Sequence, residues 1–360
     1  MRKNLIILGA TGSIGQQTLQ VVRENPREFR ILGLAGGKNL RLLEAQIREF
    51  KPKFFSCSGI GKKYARSLQM PLEKLAAQKC DLVVSAISGV AGLAPTLAAI
   101  QARNSIALAN KESLVLAGKI VMAAAKKNGV NIFPIDSEHS AVWQLLQKVP
   151  REQVRRIILT ASGGALRDVP LSKFPKISPK QVLAHPTWQM GAKITLDCAT
   201  LANKAFEIIE AAQLFDFPLE KISAVIHPQS LVHALVETID GNIFAQISRP
   251  TMKLPIALAL FEGKRKFGTV QPLDLTQQNF EFRPIDPCRY PLFFSILKAA
   301  QRGGIFPAAA AAASEHYGAK FLAGEITFPE IAKLTASSLR KVRQKPANLK
   351  NILATVKSFQ

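Results

Sequence analysis

Long apolar runs, paired cysteines and aromatic side chains are all scarce in this 360-residue chain. No apolar run approaches the roughly 18 residues of a membrane-spanning helix, and the amino-terminal segment runs into glycines where a signal peptide would have its apolar core. The four cysteines stand far apart with no CxxC pair, which argues against a disulfide framework or a zinc site. These absences predict a cytoplasmic protein with reduced thiols and no membrane partner.

Acidic residues are also few. The chain has 25 of them against 48 lysines and arginines, so the formal net charge is +23 and the pI is near 10.1. Such a balance suggests an anionic partner, and nucleic acid is one candidate. The cations are spread along the chain, however, and no nucleic-acid-binding motif accompanies them. The composition therefore favours a generally basic surface without a specific nucleic-acid partner, which would also attract an anionic small substrate.

The amino-terminal third alternates between apolar runs and amphipathic stretches, which is typical of βαβ units. This pattern predicts an α/β fold whose residues 1–135 form a Rossmann-like, doubly wound nucleotide-binding domain. The predicted buried strands are residues 4–9, 29–36, 81–87, 105–110 and 130–135.

The rest of the chain changes character twice. Residues 136–262 predict an α+β catalytic domain with a flexible flap, including a helix around 199–215 and a hairpin over 235–248. Residues 263–288 have weak periodicity and predict a linker. From 289 to 360 the pattern is helical, which predicts a carboxy-terminal helical domain.

A glycine-rich turn follows the first predicted strand. Gly9, Gly12 and Gly15 in the segment GATGSIG are a variant of the dinucleotide-binding fingerprint, in which backbone amides at a helix start face a pyrophosphate. The alternative is an ordinary strand–helix turn. The second strand ends in AGGKN without an acidic residue, so Lys38 and Asn39 favour NADP over NAD, unless Lys38 is simply a solvated loop lysine.

Two carboxylates, Asp136 and Glu138, leave the end of the last predicted strand together. They either start a helix, where a cap and an early acidic residue are favourable, or form part of a metal site. Glu207 lies on the helix predicted around 199–215 and would complete an all-oxygen site suited to Mg²⁺ or Mn²⁺. The alternative for Glu207 is a surface ion pair with Lys204.

Several short motifs, in order over most of the chain, resemble the 1-deoxy-D-xylulose-5-phosphate reductoisomerase family. They are GATGSIG, AGGKN, LANKESLVLAG, IDSEHSA, ASGG, HPTW, NK with Glu207, IHPQSLVHAL and DPCRYP. The resemblance implies rearrangement and NADPH-dependent reduction of 1-deoxy-D-xylulose 5-phosphate to 2-C-methyl-D-erythritol 4-phosphate, in isoprenoid precursor biosynthesis. It also implies a homodimer and a divalent cation, Mg²⁺, Mn²⁺ or Co²⁺.

The resemblance also assigns roles to individual residues. The metal ligands would be Asp136, Glu138 and Glu207. Contacts to NADPH would come from Thr11, Gly12, Ser13, Ile14, Gly37, Lys38, Asn39, Asn110, Glu112 and Gly191. Catalytic and substrate-binding contacts would come from Lys111, Ser137, Glu138, Ser162, His185, Trp188, Cys198, Asn203, Lys204 and Glu207. Trp188 would lie in the flap, and its alternative is simple core anchoring.

The chain departs from the family pattern in three places: at Cys198, in a segment between about 57 and 80 that looks short, and in AAASEH at 311–316, and the first of these concerns a site residue. Cys198 stands where the family usually has a serine that donates to the substrate phosphate, and a thiol is a poorer donor. Two other functions stay open: another NADP-dependent dehydrogenase of phosphorylated substrates, and a non-catalytic binding protein whose site has drifted. The intact set of Asp136, Glu138, Lys204 and Glu207 favours an active reductoisomerase over both.

Overall fold

The computed structural model describes residues 2–58, 63–64, 67–184, 188 and 191–359. The chain forms two compact units. The first contains Met1–Ser113, Lys119–Ser140 and Thr251–Gln271, and the second contains Leu114–Gly118, Ala141–Pro250 and Pro272–Gln360. The division of the chain into three domains and a linker stays a prediction.

The described elements alternate strand and helix in the first part of the chain. They are β1 (Lys3–Leu8), α1 (Ser13–Glu24), β2 (Phe29–Ala35), α2 (Leu40–Phe50), β3 (Phe54–Ser56), β4 (Lys63–Tyr64), β5 (Ser67–Gln69), α3 (Leu72–Ala76), β6 (Leu82–Ser85), α4 (Leu93–Gln101), β7 (Ser105–Leu108), α5 (Lys111–Asn128), β8 (Ile132–Pro134) and α6 (Ser137–Leu146).

Helices dominate the remainder, around one further group of strands. The elements are β9 (Val154–Ala161), α7 (Pro179–Val182), α8 (Ala192–Ala199), α9 (Ala202–Leu214), β10 (Ile222–Ile226), β11 (Val232–Thr238), β12 (Ile243–Ile247), α10 (Lys253–Leu260), α11 (Pro291–Gln301), α12 (Phe306–Leu322), α13 (Phe328–Lys341) and α14 (Leu349–Lys357).

The first unit is built on a sheet with strand order β4-β5-β3-β2-β1-β6-β7-β8. Every neighbouring pair is parallel except β4 with β5. The chain moves outward from β1 in one direction to β3 and then crosses back to β6, which is the doubly wound order that the sequence predicts. All five predicted strands are present, and Leu5–Leu8 at the centre are fully buried, as a two-sided parallel sheet requires.

Asn104 ties two parallel strands of this sheet together. It is fully buried just before β7, its amide donates to the carbonyls of Ala76 (3.2 Å) and Gln78 (2.9 Å), and its oxygen accepts from the Cys80 amide (3.1 Å). One side chain therefore satisfies three backbone groups where the chain leaves α3 and enters β6. Buried backbone groups must be paired, so this residue holds the start of the adjacent strands in register.

The second unit contains a four-stranded sheet in the order β10-β9-β11-β12. β10 runs parallel to β9, whereas β11 and β12 form the antiparallel hairpin that the sequence predicts. Its turn contains Gly241 at φ +90°, a conformation that glycine adopts without strain. Helix α9 packs on β9 and β10 and contributes Ala205, Ile208 and Ile209 to the core.

The helix predicted around 199–215 is wrong at its start. Helix α8 ends at Ala199, and α9 begins only at Ala202. Between them Leu201 adopts a left-handed conformation at φ +55° while its side chain is buried, and the Thr200 hydroxyl accepts from the Ala202 amide at 3.3 Å. Burial of Leu201 compensates the backbone strain, and the break redirects the chain so that α9 starts at a new angle.

The carboxy-terminal part is helical, as predicted. Helix α12 contains the alanine run, and Ala308, Ala309 and Ala310 are fully buried. Small side chains allow α11 and α13 to pack closely against it. Across the described ranges, no helix combines the length and apolar character needed to cross a membrane.

Replacing Asn104 with alanine tests how the first sheet is held. Asn104→Ala leaves three buried backbone groups without their partner, so we expect a loss of about 3 kcal/mol in the free energy of unfolding. The measurement is urea denaturation followed by circular dichroism. The control is Asn128→Ala, a half-buried asparagine that donates only to the Ala124 carbonyl. Equal stability of the two variants would contradict this assignment.

Candidate functional site

The glycine loop after β1 is shaped by close backbone approaches. Gly9 has φ +89°, and a Cβ there would lie 2.5 Å from the Ala86 carbonyl oxygen. Gly12 forms the cap position of α1, where no side chain caps the helix. The exposed backbone at Gly12 and Ser13 therefore leaves the positive end of α1 open to an anion. This geometry fits a pyrophosphate and supports the cofactor alternative over an ordinary turn.

A second loop follows β2 at the same edge of the sheet, because β1 and β2 pair in parallel up to Leu8 and Ala35. Gly37, Lys38 and Asn39 are exposed there. The Asn39 side-chain oxygen accepts from the Leu42 amide at 3.1 Å and so caps α2, which leaves the side-chain amide to donate outward. The loop presents one ammonium group and one amide without an acidic neighbour, a set that suits a phosphate.

The start of α5 carries three of the predicted site residues. Asn110 is buried, caps α5 by accepting from the Ser113 amide at 3.1 Å, and donates to the Gly89 carbonyl (3.0 Å) and to Glu112 (2.8 Å). The neighbouring Lys111 ammonium lies 3.6 Å from Oδ2 of Asp136. The carboxyl ends of β7 and β8 thus place a cation beside the first of the candidate metal ligands.

Asp136 starts α6, so the helix-start prediction is confirmed. Its Oδ1 accepts from the amides of Glu138 (3.0 Å) and His139 (3.2 Å). The imidazole Nδ1 of the fully buried His139 lies 2.9 Å from the same oxygen. The Ser137 hydroxyl donates to Oε2 of Glu138. Capping engages one oxygen of Asp136, and the other faces Lys111.

Helix α9 carries the third carboxylate. Glu207 is 2% exposed, and its two oxygens accept separately from the Asn203 amide and the Lys204 ammonium. Lys204 is itself only 3% exposed, so the surface ion-pair alternative is wrong. The spacing of three and four residues puts all three side chains on one edge of α9. A buried charged pair costs desolvation and is weak evidence for stability, which leaves function as the better explanation.

One carboxylate oxygen from each of Asp136, Glu138 and Glu207 lies within 4.8 Å of the other two. Helix α6 runs without a break from Ser137 to Leu146, and its Ala141 and Val142 share one hydrophobic core with α9. Among the described residues, the group that could hold an ion consists of three carboxylates, and such an all-oxygen set fits a hard cation such as Mg²⁺ or Mn²⁺.

The predicted phosphate-end residues lie in several segments. The Ser162 hydroxyl accepts from the Gly164 amide at 3.2 Å in the loop after β9. Cys198 is half-buried near the end of α8, and Gly191 is exposed at the start of that helix. Trp188 is half-buried, whereas His185 lies outside the described residues, as do most of the residues predicted to form the flap. The flap and these contacts stay predictions.

Two residues of the DPCRYP motif, Arg289 and Tyr290, have structural roles that the sequence analysis did not predict. Arg289 donates to the carbonyls of Leu166 and Val169, and the Tyr290 hydroxyl donates to that of Gly163. These are long-range contacts to the loop that carries Ser162. The motif itself was the only signal that could have pointed to them.

Models of three family domains cover most of the chain. The model described as "1-deoxy-D-xylulose 5-phosphate reductoisomerase" matches residues 5–118. The model of the "1-deoxy-D-xylulose 5-phosphate reductoisomerase C-terminal domain" matches residues 132–215, and that of the "DXP reductoisomerase C-terminal domain" matches residues 247–359. A curated relative, the 1-deoxy-D-xylulose 5-phosphate reductoisomerase of Thermomicrobium roseum, is 44% identical over 98% of this chain and 95% of its own length.

Solved structures agree with the sequence comparison. The Zymomonas mobilis reductoisomerase in complex with NADPH is 34% identical, with a TM-score of 0.91 over 100% of this chain and 97% of its own. A DOX-P reductoisomerase in complex with NADPH, fosmidomycin and magnesium is 37% identical, with a TM-score of 0.93 over 99% of this chain and 96% of its own. The chain belongs to the 1-deoxy-D-xylulose 5-phosphate reductoisomerase family.

Proposed function

We propose that this chain converts 1-deoxy-D-xylulose 5-phosphate to 2-C-methyl-D-erythritol 4-phosphate, with NADPH as reductant and a divalent cation, in isoprenoid precursor biosynthesis. The observation that carries the proposal is the convergence of Asp136, Glu138 and Glu207 in a chain of this family. A plain hydride transfer needs no metal site, so the three carboxylates favour the reductoisomerase over another dehydrogenase. Nothing in the described residues favours a drifted, non-catalytic site, because all three ligands are present.

Asp136, Glu138 and Glu207 would hold the cation, Mg²⁺, Mn²⁺ or Co²⁺. When bound, it supplies Lewis acidity that stabilises negative charge on substrate oxygens during the rearrangement. The protein's own part is to orient the three carboxylates. Asn203 and Lys204 fix the two oxygens of Glu207, and the backbone amides of α6 fix one oxygen of Asp136.

The NADPH would lie along the exposed loops at the carboxyl ends of β1, β2 and β7. The open start of α1 would take the pyrophosphate, and Lys38 with the Asn39 amide would take the 2′-phosphate. NADPH supplies the hydride when bound, and the protein positions it. The cofactor contacts proposed with these are Thr11, Gly12, Ser13, Ile14, Gly37, Asn110, Glu112 and Gly191.

The phosphorylated substrate would be held at both ends. Lys111 and Ser137 flank the metal ligands and are proposed to contact the substrate backbone. Side chains that can donate hydrogen bonds are proposed to bind the substrate phosphate. Trp188 is proposed to lie over the substrate in a flap. The proposed phosphate-end residues are Ser162, His185, Cys198, Asn203 and Lys204.

The test is NADPH oxidation at 340 nm with purified protein and 1-deoxy-D-xylulose 5-phosphate. We expect turnover with Mn²⁺ or Mg²⁺, loss of turnover with EDTA, and recovery when the cation is restored. NADH should be a much poorer reductant, because it lacks the phosphate that Lys38 would bind. Turnover that persists in EDTA would overturn the metal assignment, and no turnover by folded protein that binds NADPH would overturn the function.

We also propose a cytoplasmic homodimer. The structure describes all four cysteines and none of them forms a disulfide, which suits a reducing compartment, and fractionation of the source cells would test the location. The edge strand β12 carries exposed apolar side chains at Ile243 (55%), Phe244 (48%) and Ile247 (41%). An exposed apolar edge strand is a pairing surface, and a second copy of the same edge would cover it.

Sedimentation equilibrium tests the homodimer. We expect about twice the 39.2 kDa chain mass for the unmodified protein and a shift toward the chain mass for Phe244→Glu, because a carboxylate cannot be buried unpaired at the interface. The control is Phe267→Glu, at a fully exposed phenylalanine on the first unit. A monomer at all micromolar concentrations, or equal effects of both variants, would contradict the proposed interface.

A further inference from the structure

The loop of residues 162–169, between β9 and the following short helix, carries Ser162 and has little regular structure of its own. Gly163 and Gly164 have successive positive φ angles of +83° and +68°. A Cβ at Gly164 would lie 2.6 Å from Ala199 Cα and 2.7 Å from the Cys198 carbonyl oxygen, so the loop rests directly on the end of α8. The loop therefore brings Ser162 and Cys198 into one neighbourhood through backbone contact.

Three donors from side chains hold the carbonyls of this loop. The Tyr290 hydroxyl donates to Gly163 (3.0 Å), and Arg289 donates to Leu166 (2.9 Å) and Val169 (2.6 Å). Arg167, within the loop, donates to the Ser162 carbonyl at 3.0 Å. The Ser162 and Gly163 carbonyls, which follow the Ser162 side chain along the backbone, are thus both held, and this restricts the backbone conformation on that side of Ser162.

The turn before α11 places Arg289 and Tyr290. Asp286 accepts through its side chain from the Cys288 amide (2.8 Å) and through its carbonyl from the amides of Arg289 (3.2 Å) and Tyr290 (3.0 Å). Pro291 then starts α11, where a missing amide hydrogen costs nothing. The turn formed by the DPCRYP motif therefore holds the two donor residues, Arg289 and Tyr290, in place.

The Tyr290 hydroxyl is suited to the role of a permanent hydrogen-bond donor. The residue is 3% exposed, and burial raises the pKa of its hydroxyl to about 12, so it stays protonated throughout the neutral range. The two residues, Tyr290 and Gly163, are 127 positions apart in the sequence, so the hydrogen bond joins two distant segments and does not stabilise a local turn or helix.

We propose that Tyr290 is a positioning residue for the phosphate end of the substrate, acting through the Gly163 carbonyl on the Ser162 hydroxyl, with Arg289 holding the far side of the same loop. This inference rests on the proposed function, in which Ser162 binds the substrate phosphate. Tyr290 itself touches no substrate in this account. Its effect should appear as weaker binding of the phosphate rather than as slower chemistry.

The test is the steady-state kinetics of Tyr290→Phe, which removes one hydroxyl and keeps the packed ring. Losing one buried hydrogen bond should raise the KM for 1-deoxy-D-xylulose 5-phosphate by about fivefold. The kcat and the KM for NADPH should stay within about twofold. Inorganic phosphate, used as a competitive inhibitor, should show a matching increase in its inhibition constant.

Tyr317→Phe is the matched control. It also loses one hydroxyl, which lies 2.8 Å from the Ser338 hydroxyl between α12 and α13, away from the loop. We expect unchanged values of KM for the substrate. If both variants raise KM equally, or if Tyr290→Phe raises KM without weakening inhibition by phosphate, the effect is general and the inference is overturned.

A double-mutant cycle separates this inference from the proposed function. Ser162→Ala should raise KM, and adding Tyr290→Phe to it should raise KM little further, because both act on one hydroxyl. Additive effects would overturn the positioning role of Tyr290. If Ser162→Ala leaves KM unchanged while the unmodified protein is active, the phosphate assignment of Ser162 fails. If Ser162→Ala raises KM and Tyr290→Phe does not, only the positioning role fails.

Discussion

Repulsion between carboxylates is the constraint on which the rest of this structure depends. Two unit charges that lie within 4.8 Å of each other repel by at least about 3.5 kcal/mol at an effective dielectric constant of about 20, and three of them repel more. Such a group is stable only beside positive charge. The chain provides the Lys204 ammonium, the Lys111 ammonium and the amides at the start of α6, and a divalent cation would complete the neutralisation.

The elements of the fold place the candidate site residues. A doubly wound parallel sheet gathers loops at the carboxyl ends of its strands, which is where β1, β2, β7 and β8 present their glycines, Lys38, Asn110 and Asp136. The break between α8 and α9 gives α9 a new direction, so that Lys204 and Glu207 are buried on one edge of that helix. Rigid helices and strands carry the candidate ligands, and a loop carries Ser162.

Much of this could be predicted from the sequence, because apolar periodicity and turn residues are local signals. The five strands of the first unit and the hairpin predicted over 235–248 follow from such signals. The burial of a side chain cannot be predicted from such local signals. Spacing puts Lys204 and Glu207 on one edge of a helix, but only the packed core makes that edge buried. The break at Leu201 also escaped prediction, since tertiary packing overrides the helix propensity of the surrounding residues.

Long-range hydrogen bonds were beyond the reach of sequence reasoning. Tyr290 and Gly163 meet although 127 residues separate them, and Asn104 completes backbone groups from a segment that precedes it by more than twenty residues. No periodicity encodes such pairs in a single sequence. The departure at Cys198 was visible, because it interrupts a motif, and the structure adds that the backbone at this position supports the Ser162 loop.

The binding of a cation by Asp136, Glu138 and Glu207 can be measured directly by titration with Mn²⁺, followed by the electron paramagnetic resonance signal of the free ion. A site formed by these three carboxylates predicts one tight Mn²⁺ site per chain in the unmodified protein. It also predicts at least about tenfold weaker binding in Glu207→Gln, which keeps the shape of the side chain and removes its charge, and no change in Glu220→Gln, at an exposed carboxylate. Equal Mn²⁺ affinity for Glu207→Gln and the unmodified protein would contradict it.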